Sequence, residues 1–121
     1  MRVRSLVVAA VVLVSSGCSS ATPTPPPPSC PQDLPAVCPS PPPSYKNDVV
    51  DILDARCNRC HGTGGNAADK PLTDYESVYR LRSGVLNQVY ACHMPPAADA
   101  QLSSAQRKTL LEWLICHSPD N

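Results

Sequence analysis

The chain reads as a small all-α domain, and three features predict it. Apolar residues recur at helical spacing in three stretches. Two of those stretches open on a capping-box signature. Glycine and proline clusters punctuate the intervals between them. The domain is placed at residues 45–121, with three to four helices and a core that contains no phenylalanine and a single tryptophan.

The first helix is predicted from Asn47 to Arg56. Val49, Val50, Ile52, Leu53 and Ala55 favour one side, and Asp48 and Asp51 stand near the positive end of the helix dipole. Gly62-Thr63-Gly64-Gly65-Asn66 breaks regular structure and predicts a loop. No strand precedes it and no Gly-Lys-Ser/Thr ending follows, which sets aside a phosphate-cradling role. Thr73 with Glu76 predicts the start of a short helix through Val78, Tyr79 and Leu81, ended or bent at Gly84. Ser103 with Gln106 repeats the signature, and Leu110, Trp113 and Leu114 share one face of a C-terminal helix that stops before Pro119.

Residues 1–17 have the form of an export signal rather than a structural element: Arg2 and Arg4, then an apolar run from Leu6 to Val14 that is too short to span a bilayer. Ser15-Ser16-Gly17-Cys18 resembles a bacterial lipobox, which implies cleavage before Cys18 and a lipid anchor on it. Ser15 stands where leucine is usual, so ordinary secretion stays open. Ser19 after the cysteine implies sorting to the outer membrane, facing the periplasm. Residues 18–44 form a Pro-rich linker, since residues 23–44 hold eleven of the fifteen prolines. Fully extended, such a stalk reaches at most roughly 80 Å.

Cys57-Asn58-Arg59-Cys60-His61 is the most informative motif. Two thiols three apart, followed directly by histidine, match the attachment site of a c-type haem, in which each sulfur bonds one vinyl group and the imidazole ligates iron. A bare CxxC is also compatible with a thiol-redox pair or half of a zinc site, with Cys92 and His93 completing the latter. The motif and the Gly62 that follows it resemble the class I cytochrome c family, and the resemblance runs over most of residues 45–121. It implies one covalent haem c, bound by Cys57, Cys60 and His61, within a small helical fold. It also implies that the first and last helices cross beside the haem, with Trp113 at the aromatic position near that crossing; Ala55 is the small residue of the first helix.

Met94, the only methionine outside the signal, is the leading second iron ligand, because Met94-Pro95 resembles the distal loop of that family. His93 is its rival, and His117 fits a surface or helix-end position better. The family resemblance also makes the carbonyl of Pro71 the acceptor for the second nitrogen of His61. Tyr45, Tyr75, Tyr79 and Tyr90 are candidates to line the haem.

Seven cysteines divide into one for lipid, two for haem and four for disulfides in an oxidising compartment. Sequence order pairs Cys30 with Cys38 and Cys92 with Cys116. Residues 45–121 carry eight lysines and arginines against nine aspartates and glutamates, which leaves no basic footprint for nucleic acid. Arg56, Arg59, Arg80 and Arg82 are the cations available to steer an acidic partner. The function expected from sequence is therefore a non-enzymatic carrier of single electrons between redox partner proteins, with no small-molecule substrate. A haem enzyme or sensor with an open distal site, and a thiol-redox or zinc-binding lipoprotein, are the alternatives.

Overall fold

The computed structural model describes residues 29–121, so the expected signal segment, Cys18 and the first part of the linker lie outside the described residues. Within them the chain is helical and contains no strand. Among the described residues no helix is long and apolar enough to cross a membrane.

The predicted first helix begins two residues early, as one π-helical turn, Tyr45–Val49, that runs into α1, Val50–Arg56. The wide turn follows from its bonds. The Ser44 carbonyl accepts from both Asp48 and Val49, and the Ser44 hydroxyl caps Asn47. Asn121 folds back to supply acceptors for the free N–H groups of Tyr45 and Lys46. Tyr45 and Val49 are thereby buried together.

Cys57 joins α1 to a single turn, α2, Asn58–His61. The third helix, α3, spans Tyr75–Tyr90 and differs from expectation at both ends. Its cap is Asp74, not Thr73: the Asp74 carboxylate accepts from the Ser77 N–H and hydroxyl, both at 2.9 Å, and these bonds hold its pKa below the ordinary carboxylate value. A charged acceptor at a helix N-terminus competes better than a threonine hydroxyl. Gly84 does not end the helix. A glycine costs only about 1 kcal/mol there, and Val85 and Val89 continue the packed face beyond it. Helix α4, Ser104–Ile115, has both halves of the Ser103/Gln106 capping box. It ends at Ile115, four residues before Pro119, and the chain then turns through left-handed His117 and Ser118.

The core gathers Val49, Leu53, Val78, Leu110, Leu111 and Trp113, all with at most 1% exposure. Trp113 is its centre. Its ring lies 5.6 Å from that of Tyr45, which meets Tyr75 edge-on at 5.2 Å. The indole N–H donates to the Pro119 carbonyl at 3.0 Å, and the Tyr75 hydroxyl donates to that of Ser118. The first and last helical segments therefore meet through Tyr45 and Trp113. Ala55 is exposed, away from this junction.

The cysteine pairing expected from sequence order is not the one formed. Cys30 bonds Cys92 and Cys38 bonds Cys116. A segment with prolines at 31 and 35 is stiff and extended, which keeps Cys30 and Cys38 apart. It lies as a strap over the C-terminal ends of α3 and α4, where the partner cysteines stand. The two bonds close loops with separations of 62 and 78 residues. The chain-entropy model gives each roughly 4 kcal/mol, a large share of the stability of so small a domain.

Non-reducing peptide mapping should recover Cys30 linked to Cys92 and Cys38 linked to Cys116, and the opposite pairing would refute the strap. Trp113→Ala should lower unfolding stability by about 3–5 kcal/mol, read from chemical denaturation. A loss under about 1 kcal/mol would mean that Trp113 is not the central packing element.

Candidate functional site

A cavity of about 760 Å³ opens between α2, α3 and the loop that joins α3 to α4. The local sequence explains how its first wall forms. Cys57, at the junction, and Cys60, in the following turn, are three residues apart and line the cavity together with His61. The amides of Cys60 and His61 both donate to the Cys57 carbonyl, at 3.0 and 2.9 Å. The glycine loop then wraps closely: a Cβ on Gly65 would collide with the Cys60 carbonyl oxygen, so only glycine fits there. The carbonyls of Cys60 and His61 accept from Ala67 and Leu72, which fixes the turn from behind.

His61 is oriented by its Nδ1, which lies 2.8 Å from the Lys70 carbonyl oxygen. A carbonyl only accepts, so in the neutral ring Nδ1 carries the hydrogen and Nε2 is left as a lone-pair donor. The acceptor is Lys70 rather than Pro71. The Lys70 N–H turns back onto Ala67 and the Leu72 N–H onto the His61 carbonyl, which leaves the intervening Lys70 carbonyl beside the ring.

The second wall is one face of α3: Leu81, Gly84, Val85, Gln88 and Val89. A Cβ added at Gly84 would meet nothing within 4 Å, so the helix presents no side chain to the cavity at that position. The third wall carries Met94, Pro95, Pro96, Asp99 and Leu102. Met94 is 39% exposed. Arg59 and Asp99, both lining residues, form an ion pair that ties α2 to this loop. Arg56 lies on the wall with its Nε buried and without a partner.

The structure thus brings Cys57, Cys60, His61 and Met94 around one cavity and leaves other candidates outside it. His93 does not line the cavity, and its Nε2 is buried without a partner. His117 is exposed at the end of α4. No tyrosine reaches the lining: Tyr45 and Tyr75 belong to the Trp113 cluster, and the Tyr90 hydroxyl donates to the Gln32 carbonyl. Of the four arginines only Arg56 and Arg59 line the cavity, whereas Arg82 stacks 4.0 Å from the centre of the Tyr79 ring. Sequence reading missed the α3 wall, although Leu81, Val85 and Val89 at four-residue spacing across Gly84 carried the signal.

Cys57 and Cys60 are free thiols. Burial, and secondarily the neighbouring Cys60, push the Cys57 thiol up to about 11. A thiol held protonated at neutral pH is a poor nucleophile and a poor redox partner. Cys92 is committed to Cys30, so it does not complete a zinc site with His93, and among the described residues no group of three or more His, Cys, Asp or Glu side chains is placed to hold a metal ion. No protein-family model, characterised protein or solved structure matches the chain.

In the chain as folded here, iodoacetamide should modify Cys57 slowly at pH 7, with a rate that climbs as pH approaches about 11, because only the thiolate reacts. Mass spectrometry of timed aliquots would read it. Rapid alkylation at pH 7 would reopen the thiol-redox reading.

Proposed function

We infer that the chain is a mono-haem c-type cytochrome of the bacterial envelope that carries single electrons between redox proteins, held to the membrane through a lipid on Cys18. One observation carries the reading. His61 is anchored by the Lys70 carbonyl with Nε2 free, and it shares one apolar cavity with two free thiols and the Met94 thioether.

The residues fit a covalent haem. The cavity volume lies within the range of small-molecule and cofactor sites. The unpartnered Nε of Arg56 offers a donor to an anionic carboxylate such as a porphyrin propionate. Cys57 and Cys60 would hold the macrocycle through their sulfurs, and His61 and Met94 would supply the iron ligands. When bound, haem supplies a one-electron ferrous/ferric couple, and thioether ligation raises its potential relative to a second imidazole.

The chain's own part is to hold this geometry through both oxidation states. The Lys70 carbonyl fixes the His61 ring and increases its basicity. Leu72, Leu81, Val85 and Leu102 supply apolar lining, which lowers the local polarity around a group held in the cavity. The Arg59–Asp99 pair, largely exposed on the arginine side, adds at most about 1 kcal/mol and links the two ligand-bearing segments.

Expression with a haem-attachment system should give a protein that retains haem stain after denaturing electrophoresis, whereas Cys57→Ala/Cys60→Ala should not. The oxidised protein should show a low-spin spectrum with a far-red methionine-to-iron charge-transfer band that disappears in Met94→Ala, together with a lower midpoint potential. Failure of the native chain to attach haem would overturn the reading. Attachment with a spectrum indifferent to Met94→Ala would shift it toward a haem enzyme or sensor.

A further inference from the structure

Met94 stands between two cavities. It lines the one shared with Cys57, Cys60 and His61, and it also lines a second, of about 890 Å³, bounded by the strap and α4. A flexible thioether with space on both sides has no packing that fixes which side it takes. The backbone leading into it must decide that.

The contacts of the strap converge on that backbone. Cys30 is bonded to Cys92, two residues before Met94. Arg107 Nη2 donates to the carbonyls of both Pro31 and Tyr90, at 2.9 and 3.0 Å, and so joins strap and α3 through one group. The Tyr90 hydroxyl donates back to Gln32 at 3.1 Å. The chain leaves α3 through Cys92 in the left-handed region, φ +55°, a conformation a non-glycine residue keeps only when its surroundings hold it. His93 and Met94 then both donate to the Gln88 carbonyl, at 2.9 and 3.2 Å. Beyond Met94 the loop is largely exposed, and the Gln101 amide holds the carbonyls of Pro95, Pro96 and Asp99.

Arg107 has no acidic partner among the described residues, is only 9% exposed, and leaves Nε and Nη1 without acceptors. A guanidinium buried in this way is costly, and its hydrogen bonds go to the two carbonyls that hold the strap against the end of α3.

We propose that the strap at Cys30–Gln32 is a positioning element for the distal iron ligand: through Cys92, Tyr90 and Arg107 it sets the exit from α3 so that the Met94 thioether addresses the Cys57–His61 cavity instead of the one behind it. This rests on the cytochrome reading above.

The two disulfides supply the comparison. Their loop lengths are similar, so the chain-entropy model assigns them similar contributions to stability. Only Cys30–Cys92 adjoins Met94. In the full chain expressed with haem attachment, Cys30→Ser/Cys92→Ser should keep covalent haem but lose the methionine charge-transfer band and shift the midpoint potential downward. Cys38→Ser/Cys116→Ser should keep the band while melting earlier. Arg107→Met, which retains both disulfides, should weaken the band. Hydrogen exchange gives a readout that does not need haem: the His93 and Met94 amides should exchange faster in Cys30→Ser/Cys92→Ser and in Arg107→Met, and not in Cys38→Ser/Cys116→Ser.

Equal effects from the two disulfide variants would reduce the strap to a general staple and overturn the proposal. So would an unchanged band and unchanged exchange in both Cys30→Ser/Cys92→Ser and Arg107→Met. If Cys30→Ser/Cys92→Ser does not fold, Arg107→Met decides. Absence of haem from the native chain would sink the cytochrome reading instead, and the exchange data would still report whether the strap braces this exit.

Discussion

The contact between Trp113 and Tyr45 is the constraint on which the frame depends. A domain of this size lacks the apolar area to tolerate a loosely packed centre. Here one indole joins three parts of the chain: its ring packs against the opening π-helical turn, its backbone lies in α4, and its N–H holds the tail at Pro119. The tail returns the constraint, because Asn121 caps the N–H groups of Tyr45 and Lys46. The resulting ring of contacts fixes the start of α1, and α1 in turn delivers Cys57 to the cavity. The site is therefore positioned from the opposite end of the sequence.

The disulfides extend this closure to the Pro-rich segment. Read as composition alone, residues 18–44 are a spacer; in the folded chain, residues 30–38 are bound at both ends to helix termini. Prolines serve the strap as well as a stalk, since a stiff extended segment loses little entropy when it is pinned. The segment therefore contributes cover and bracing to the helical body that its sequence does not advertise. Its apolar residues Leu34 and Val37 remain exposed, so its hold comes from covalent bonds and hydrogen bonds more than from burial.

What was legible in the sequence, and what was not, divides along range. Local signals were read correctly: the Ser103/Gln106 box, the helical spacing through Trp113, and the loop after His61 all depend on residues within a few positions of one another. The misreadings involve competition or distance. Asp74 displaced Thr73 as a cap because both are adjacent and the charged acceptor is stronger. Gly84 does not break α3, because the packing of Val85 and Val89 beyond it outweighs the glycine's weak helix propensity. The carbonyl beside His61 was misplaced by one residue, which only the path of the 67–72 turn decides. The disulfide partners were wrong because pairing by sequence order assumes nearby cysteines meet, and a proline strap forbids that. Cys57, Cys60, His61 and Met94, which the motifs single out, line one cavity, but the α3 wall they share was not legible.

The cysteines carry a final argument. Four of the six described are paired, and two, three residues apart on one turn, are free. In an oxidising compartment a free CxxC pair tends toward its own disulfide unless another bond occupies the sulfurs. A redox-active pair would be expected to hold one thiol at lowered pKa, whereas burial raises that of Cys57. A zinc site completed by Cys92 and His93 would need the Cys92 thiolate, which is spent on the strap, and among the described residues no group of three or more His, Cys, Asp or Glu side chains is placed to hold a metal ion. Thioether bonds to a porphyrin, as proposed, would consume both sulfurs in neutral form and suit their burial, and the adjacent His61 lines the same apolar space. On the reading proposed above, haem attachment uses both thiols, and their burial, their spacing and the neighbouring histidine all favour it.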